Sequence, residues 1–279
     1  MNYAAKISYI GKNYSGWQVQ PDALSVQEII ESVLAKIAGH EIRITGAGRT
    51  DKGVNAWGQI ASFKMEKIFE PYKLRLAVNF YLPEDIRVIK IFHVPDDFNA
   101  RYSAVSREYK YFIWHGAVCP PVFNNFVWWR KGKPWNMCLA KRACELIEGR
   151  HNFRAFCRAG ECPDDPFRTI ERLRIRNRGK LSIISVKAPS FLTNMVRIIT
   201  GNINSVALGK NSLEWLEDLL NGSERTESAM TTPACGLWFW RVNYENNDNP
   251  MANSKLALST LSGGRAKLAY QECLPCLPC

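Results

Sequence analysis

The chain has 279 residues, 46% of them apolar, enough to bury one large core or two ordinary ones, and no apolar run reaches the roughly 18 residues of a membrane span. Lys and Arg total 37 against 26 Asp and Glu, a net charge of +11. Residues 245–279 hold three acidic and three basic side chains, so the whole excess lies in residues 1–244, a basic body that attracts polyanions, nucleic acid first among them.

Taken in chain order, residues 3–9 alternate apolar and polar and predict a half-buried strand. Ser25-Val26-Gln27-Glu28 reads as a capping box. Val26, Ile29, Ile30, Val33, Leu34 and Ile37 then form one helical stripe, ended by Gly39. Ile42 and Ile44 mark a second strand and residues 58–65 a third. Pro71 starts a short helix ending near Tyr81, and residues 86–94 make a fourth strand. That order, β-α-β-β-α-β, is the ferredoxin-like signature. The second half repeats it loosely. Residues 107–115 read as a strand, 135–148 as a helix, and 169–187 as a hairpin turning at Asn177-Arg178-Gly179-Lys180. Residues 190–208 and 212–220 read as helices, the latter capped by Ser212, and 237–244 as a last strand. The expected fold is therefore α+β. It has two tandem ferredoxin-like halves, residues 1–104 and 105–245, whose antiparallel sheets meet at a central cleft. Residues 246–279 read as a disordered tail.

The start of the chain shows no secretion signal, and nine cysteines without framework spacing fit reduced thiols, so a cytoplasmic location is expected. The terminal Cys273, Cys276 and Cys279 have the spacing of half a zinc site, but no matching pair stands elsewhere, and no metal is expected.

Three features carry chemistry. The stretch Ile44 to Ala56 holds Gly46, Gly48 and Gly53, too many for a regular helix or strand, and it encloses Arg49-Thr50-Asp51. Asp51 is either a positioned, charge-tuned carboxylate or the cap of a turn. Arg172, Arg174, Arg176 and Arg178 alternate along a strand, either facing phosphate or forming a solvated exterior. Arg197 lies in an apolar helical run, where it either snorkels or pairs with a carboxylate, Asp51 being the candidate. Tyr14, Trp17, Tyr109, Tyr111, Trp128 and Trp129 sit beside basic residues, as base-stacking aromatics do and as many core aromatics also do.

Together these residues resemble the tRNA pseudouridine synthase A family. Gly46-Ala-Gly-Arg-Thr-Asp51 with Gly53-Val54 resembles its central motif, and Tyr14-Ser-Gly-Trp-Gln18 with Ser25-Val-Gln27 its N-terminal one. Asn99-Ala-Arg-Tyr-Ser-Ala104, Arg107-x-Tyr109-x-Tyr111 and Phe191-x₃-Met195-Val-Arg197-x₃-Gly201 resemble later segments, and the likeness runs from about residue 3 to 244. The resemblance implies a homodimer that isomerises uridine to pseudouridine in the tRNA anticodon arm, at positions 38, 39 and 40, without a cofactor. It implies Asp51 as the catalytic aspartate, Tyr109 as the tyrosine packed on the target base, Arg197 as the aspartate's ion-pair partner, and Arg49 as the arginine that assists base flipping. Lys52 stands where many bacterial members have alanine and Asn55 where many have histidine, which keeps other tRNA positions open. Two alternatives remain: a non-catalytic RNA-binding protein, whose function would survive loss of Asp51, and a zinc-using nucleic-acid protein, which would need the terminal cysteines.

Overall fold

A computed structural model describes residues 1–245. The predicted tail and its three cysteines lie outside the described residues.

The locally coded elements form as their sequences dictate. Strand β1 (Asn2–Tyr9) leads through a polar loop to helix α1 (Val26–Ala38), whose first turn is capped by the Ser25 hydroxyl accepting from the Glu28 N–H at 3.2 Å. Gly39, at φ +82°, ends the helix in the left-handed conformation. Strand β2 is only Thr45–Gly46. Ile42 and Ile44 are buried, but not in a ladder: the Ile44 N–H donates to the buried Glu31 carboxylate of α1 at 2.9 Å, so a side chain takes the place of a neighbouring strand. Strand β3 (Asn55–Lys64), helix α2 (Pro71–Tyr81) and strand β4 (Ile86–His93) complete the first half.

Strand β5 (Ala104–Trp114) opens the second half, followed by the short strand β6 (Trp128–Trp129) and helix α3 (Met137–Ile147). Strands β7 (Gly149–Asn152) and β8 (Phe167–Ile170) pair in a separate ribbon that the sequence pattern does not reveal. Strands β9 (Arg172–Arg178) and β10 (Leu181–Ala188) form the expected hairpin, with Gly179 at φ +60° in its turn. The next predicted helix starts five residues late: α4 is Met195–Ala207, because Asn194 adopts a left-handed φ of +61° and residues 190–194 form a loop instead. Helix α5 (Leu213–Leu220) is capped by Ser212, and strand β11 (Leu237–Tyr244) closes the described chain.

The main sheet runs β4-β1-β3-β11-β5-β10-β9, with β2 beside β3 and β6 beside β5. The two half-sheets meet edge to edge. Their join is β11, antiparallel to β5 and parallel to β3 through Trp238 opposite Asn55 and Phe239 opposite Ala56. The Asn55 side chain, fully buried, reinforces this junction. It accepts from the Gly11 N–H at 2.9 Å and donates to the carbonyls of Cys235 at 2.9 Å and Asn125 at 3.1 Å. Among the described residues no helix is long and apolar enough to cross a membrane.

Helix α4 is buried along nearly its whole length, and its Gly201 lies against the backbone of the loop between α5 and β11. A Cβ there would fall 2.0 Å from the Met230 carbonyl oxygen. Backbone cannot yield as a side-chain tip does, so Gly201→Ala is expected to cost about 1–3 kcal/mol, measured by urea unfolding.

Candidate active site

The Asp51 loop is built by close approach. Gly46 lies under the indole of Trp17, where a Cβ would meet Nε1 at 2.5 Å, and Gly48 lies against the Phe239 ring, where it would meet a ring carbon at 2.7 Å. The Ala47 N–H donates to the Ile60 carbonyl at 2.8 Å, and the fully buried Gln59 amide donates to the Gly48 carbonyl at 2.6 Å. The Trp17 N–H donates to the Thr50 carbonyl at 3.0 Å, and the Thr50 hydroxyl meets the buried Tyr9 hydroxyl at 2.8 Å. The N-terminal Gly16-Trp17 segment is therefore a buttress of this loop, and Trp17 is a packed side chain, 2% exposed, rather than a base-stacking platform.

The loop forms one wall of a cavity of about 530 Å³ above the junction of the half-sheets. Arg49, Asp51, Tyr109, Phe191, Arg101 and Tyr102 are among the residues that line it. Tyr109 comes from β5 and is 8% exposed, held edge-on by Phe191 at 5.1 Å and Phe239 at 4.9 Å between ring centroids. That packing fixes the ring without covering its place in the cavity wall. Arg49 is exposed at the cavity.

Arg197 stands behind the wall instead of in it. Its Nε donates to the Thr232 carbonyl at 2.7 Å and its Nη1 to the Asn194 side-chain oxygen at 2.8 Å. It makes no ion pair with Asp51 within 4.0 Å. The expected direct contact is thus replaced by attraction across a gap, the guanidinium being held through Nε by the loop before β11 and through Nη1 by the residue that starts α4. Burial pushes the Asp51 carboxyl above the usual carboxylate range, and Arg197 is the strongest influence pulling it back. The ion pair of Arg158 with Glu161, at 2.9 Å, adds smaller and opposing effects.

Three residues were not assigned a role from sequence. Arg107 reaches from β5 to the Ala47 carbonyl with Nε at 3.1 Å and Nη2 at 3.0 Å, and to the Pro189 carbonyl with Nη1 at 2.8 Å. It ties the Asp51 loop to the strand that carries Tyr109 and to the start of the 190–194 loop. Arg101 and Tyr102 stand at the cavity mouth, on a turn in which the Asn99 side chain accepts from both their N–H groups at 2.9 and 3.2 Å. Tyr102 is 79% exposed. The signal was Asn99 two residues before an Arg-Tyr pair, the pattern of an Asx turn.

The four alternating arginines do share the exposed face of β9, with Leu173 and Ile175 buried behind them. One is already engaged: Arg174 pairs with Glu148. Arg172, Arg176 and Arg178 line a groove with Lys110 and Lys187. Tyr111 is wholly buried, its hydroxyl donating to the Pro233 carbonyl at 2.7 Å, so it packs and does not face RNA. Among the described residues no three His, Cys, Asp or Glu side chains cluster to hold a metal.

Comparison with known proteins bears on this geometry directly. The family model for tRNA pseudouridine synthase matches residues 5–103 and 143–245. These segments contain Arg49, Asp51 and Arg197, while Tyr109 falls between them. A tRNA pseudouridine synthase A of Brachyspira hyodysenteriae is 35% identical over 246 residues, 88% of this chain and 99% of that one. One of Francisella tularensis subsp. holarctica is 37% identical over 87% of this chain and 94% of its own, and one of a Thermoanaerobacter species 37% over 87% and 99%. Likeness at this level, along almost the full length of each relative and across both walls of the cavity, means that the chain belongs to the tRNA pseudouridine synthase family.

Proposed function

We propose that this protein isomerises uridine to pseudouridine in the anticodon arm of tRNA, at positions 38, 39 and 40, with Asp51 as the reacting carboxylate. The observation that carries the reading is the half-buried Asp51 carboxylate in a glycine-framed loop, opening into a cavity that Tyr109 also lines. The reaction breaks the N1–C1′ bond, turns the uracil and joins C5 to C1′, releasing the C5 hydrogen and returning a proton to N1. No redox change and no group donor is required. The target uridine has to leave the stack to reach the cavity, and Arg49 at its entrance occupies the space the base vacates. The ionised Asp51 opens the reaction, and Tyr109 holds the detached uracil against its ring. The charge of Arg197 favours the ionised carboxylate. A homodimer in the cytoplasm completes the reading.

Transcribed tRNA carrying tritium at uridine C5 tests this. Turnover is expected to release tritium to water, one atom for each pseudouridine formed. No release from any anticodon-arm uridine would overturn the reading.

The groove of β9 gives a second expectation. If Arg172, Arg176 and Arg178 meet phosphates, changing Arg176 and Arg178 to Gln weakens tRNA binding and flattens the salt dependence of log K by about 0.9 per lost phosphate contact, with kcat at saturating tRNA unchanged. An unaltered salt slope would assign that face to solvent.

A further inference from the structure

The segment after β7 brings two thiols together beside the active-site wall. Residues 158–161 form a tight turn: the Glu161 N–H donates to the Arg158 carbonyl at 3.1 Å, the two side chains pair at 2.9 Å, and Gly160 adopts φ +77°. The turn brings Cys162 back toward Cys157, near enough for its thiol to act on the ionisation of Cys157, and the Cys162 thiol donates to the Pro163 carbonyl at 3.6 Å. Neither is in a disulfide; Cys157 is 1% exposed, and Cys162 is partly exposed and packed against the core. The same turn grips the cavity. The Arg158 N–H donates to the carbonyl of Thr193 at 3.0 Å, and Thr193 lines the wall opposite the Asp51 loop. Arg158 and Glu161 are also the two charges, after Arg197, that act on Asp51. None of this is required by the isomerisation, which uses no thiol.

We propose that Cys157 and Cys162 are a redox modification site, which closes to an intramolecular disulfide by exchange with a low-molecular-weight disulfide and thereby lowers turnover. The chemistry balances without another participant. The more accessible Cys162, as thiolate, attacks the external disulfide RSSR and releases one RS⁻, leaving Cys162–S–S–R. Cys157 then loses its proton and attacks the Cys162 sulfur, releasing the second RS⁻, which is protonated. Overall, two thiols and RSSR give one protein disulfide and two RSH. Burial pushes the Cys157 thiol up to about 11, so closure of the mixed disulfide is the slow step and speeds up as pH rises. Closing the bond brings the two sulfurs to about 2.05 Å, so the turn between the cysteines has to tighten. That moves Arg158 relative to Thr193 and shifts the Arg158–Glu161 charges relative to Asp51.

The regulatory half of this proposal rests on the reading of the cavity as an isomerase site; the disulfide itself does not. The full chain is incubated in buffers of oxidised and reduced glutathione, then alkylated, digested and mapped by mass spectrometry, with turnover of tRNA measured on the same samples. The expected result is a 157–162 crosslink, a several-fold fall in kcat with tRNA affinity unchanged, and recovery with dithiothreitol. Cys162→Ser, at the less buried position, should keep the activity of the reduced protein and lose the response. Should that variant fold poorly, Cys162→Ala replaces it. Cys157 and Cys162 found unlinked while other cysteines are oxidised would overturn the modification site. A complete 157–162 crosslink with unchanged kcat would overturn its effect on the cavity. Absence of turnover in the reduced protein would instead count against the isomerase reading and leave the crosslink to be judged by its own map.

Discussion

Asp51→Asn is expected to lower pseudouridine formation by at least about 10³-fold while tRNA binding stays within a few-fold of the unaltered protein. The amide keeps the shape of the side chain in a loop whose geometry is set by Trp17, Gln59 and Phe239, so the cavity survives the change. What is lost is the charge that, in the proposed reaction, opens the attack. Steady-state turnover and filter binding on one preparation check both halves, with mass spectrometry excluding deamidation back to aspartate. A second consequence separates chemistry from folding. The folded-state pKa of Asp51 lies above its unfolded value, so between the two values the folded protein holds more protons. The contribution of Asp51 to stability is therefore greatest in acid and falls as pH rises through the folded pKa. At neutral pH the ionised, half-buried carboxylate costs stability, and Asp51→Asn is expected to raise Tm there. The difference should shrink toward acid pH. A variant that is both inactive and less stable at neutral pH would mark Asp51 as a structural cap.

Arg197→Met is expected to reduce kcat by roughly 10²-fold and to move the acid limb of its pH profile upward. In the proposed reaction the carboxylate is the reactive form of Asp51, so kcat is expected to decline as pH falls through its raised pKa. Removing the strongest influence that lowers this pKa raises it further, and the decline then begins at higher pH. Arg197→Lys keeps the charge but cannot hold the Thr232 carbonyl and the Asn194 oxygen with one planar group, so it should rescue the pH profile better than the rate. An unchanged acid limb in Arg197→Met would confine Arg197 to anchoring the start of α4.

What was legible in the sequence is what is decided locally. Ser25 and Ser212 mark helix starts through bonds made within three residues and Pro71 through its fixed φ, and each stands where it was expected. The alternation of arginines along residues 172–178 is likewise a local property of a strand. Where a distant group supplies the partner, the pattern is silent or misleading. Ile42 and Ile44 look like a strand, but Glu31 takes the hydrogen bond a strand would use. Residues 190–194 carry helical apolar spacing, yet Asn194 turns left-handed, its side chain engaged by Arg197, and Thr193 is held by Arg158. The join of β3 with β11 depends on Asn55 meeting Cys235, a contact across 180 residues.

The site divides in the same way. The glycine density around Asp51 points to a special loop, but residue chemistry alone favours a turn cap over a positioned carboxylate. The roles of Tyr109, Arg49 and Arg197 came from family resemblance. The cavity brings Arg49, Asp51 and Tyr109 together, and Arg197 acts from behind its wall rather than by contact. The anchoring of the loop by Arg107 had no sequence signature, because it binds backbone carbonyls, which every residue offers.

The Asp51 cavity is proposed to convert anticodon-arm uridine to pseudouridine. Carbodiimide mapping of pseudouridine at nucleotide resolution, on transcribed tRNA treated with the unaltered protein or with Asp51→Asn, tests it most directly. The expected result is modification at positions 38, 39 and 40 wherever these are uridine, and none with Asp51→Asn at equal tRNA occupancy. Equal modification by both proteins, or none by either, would contradict the account.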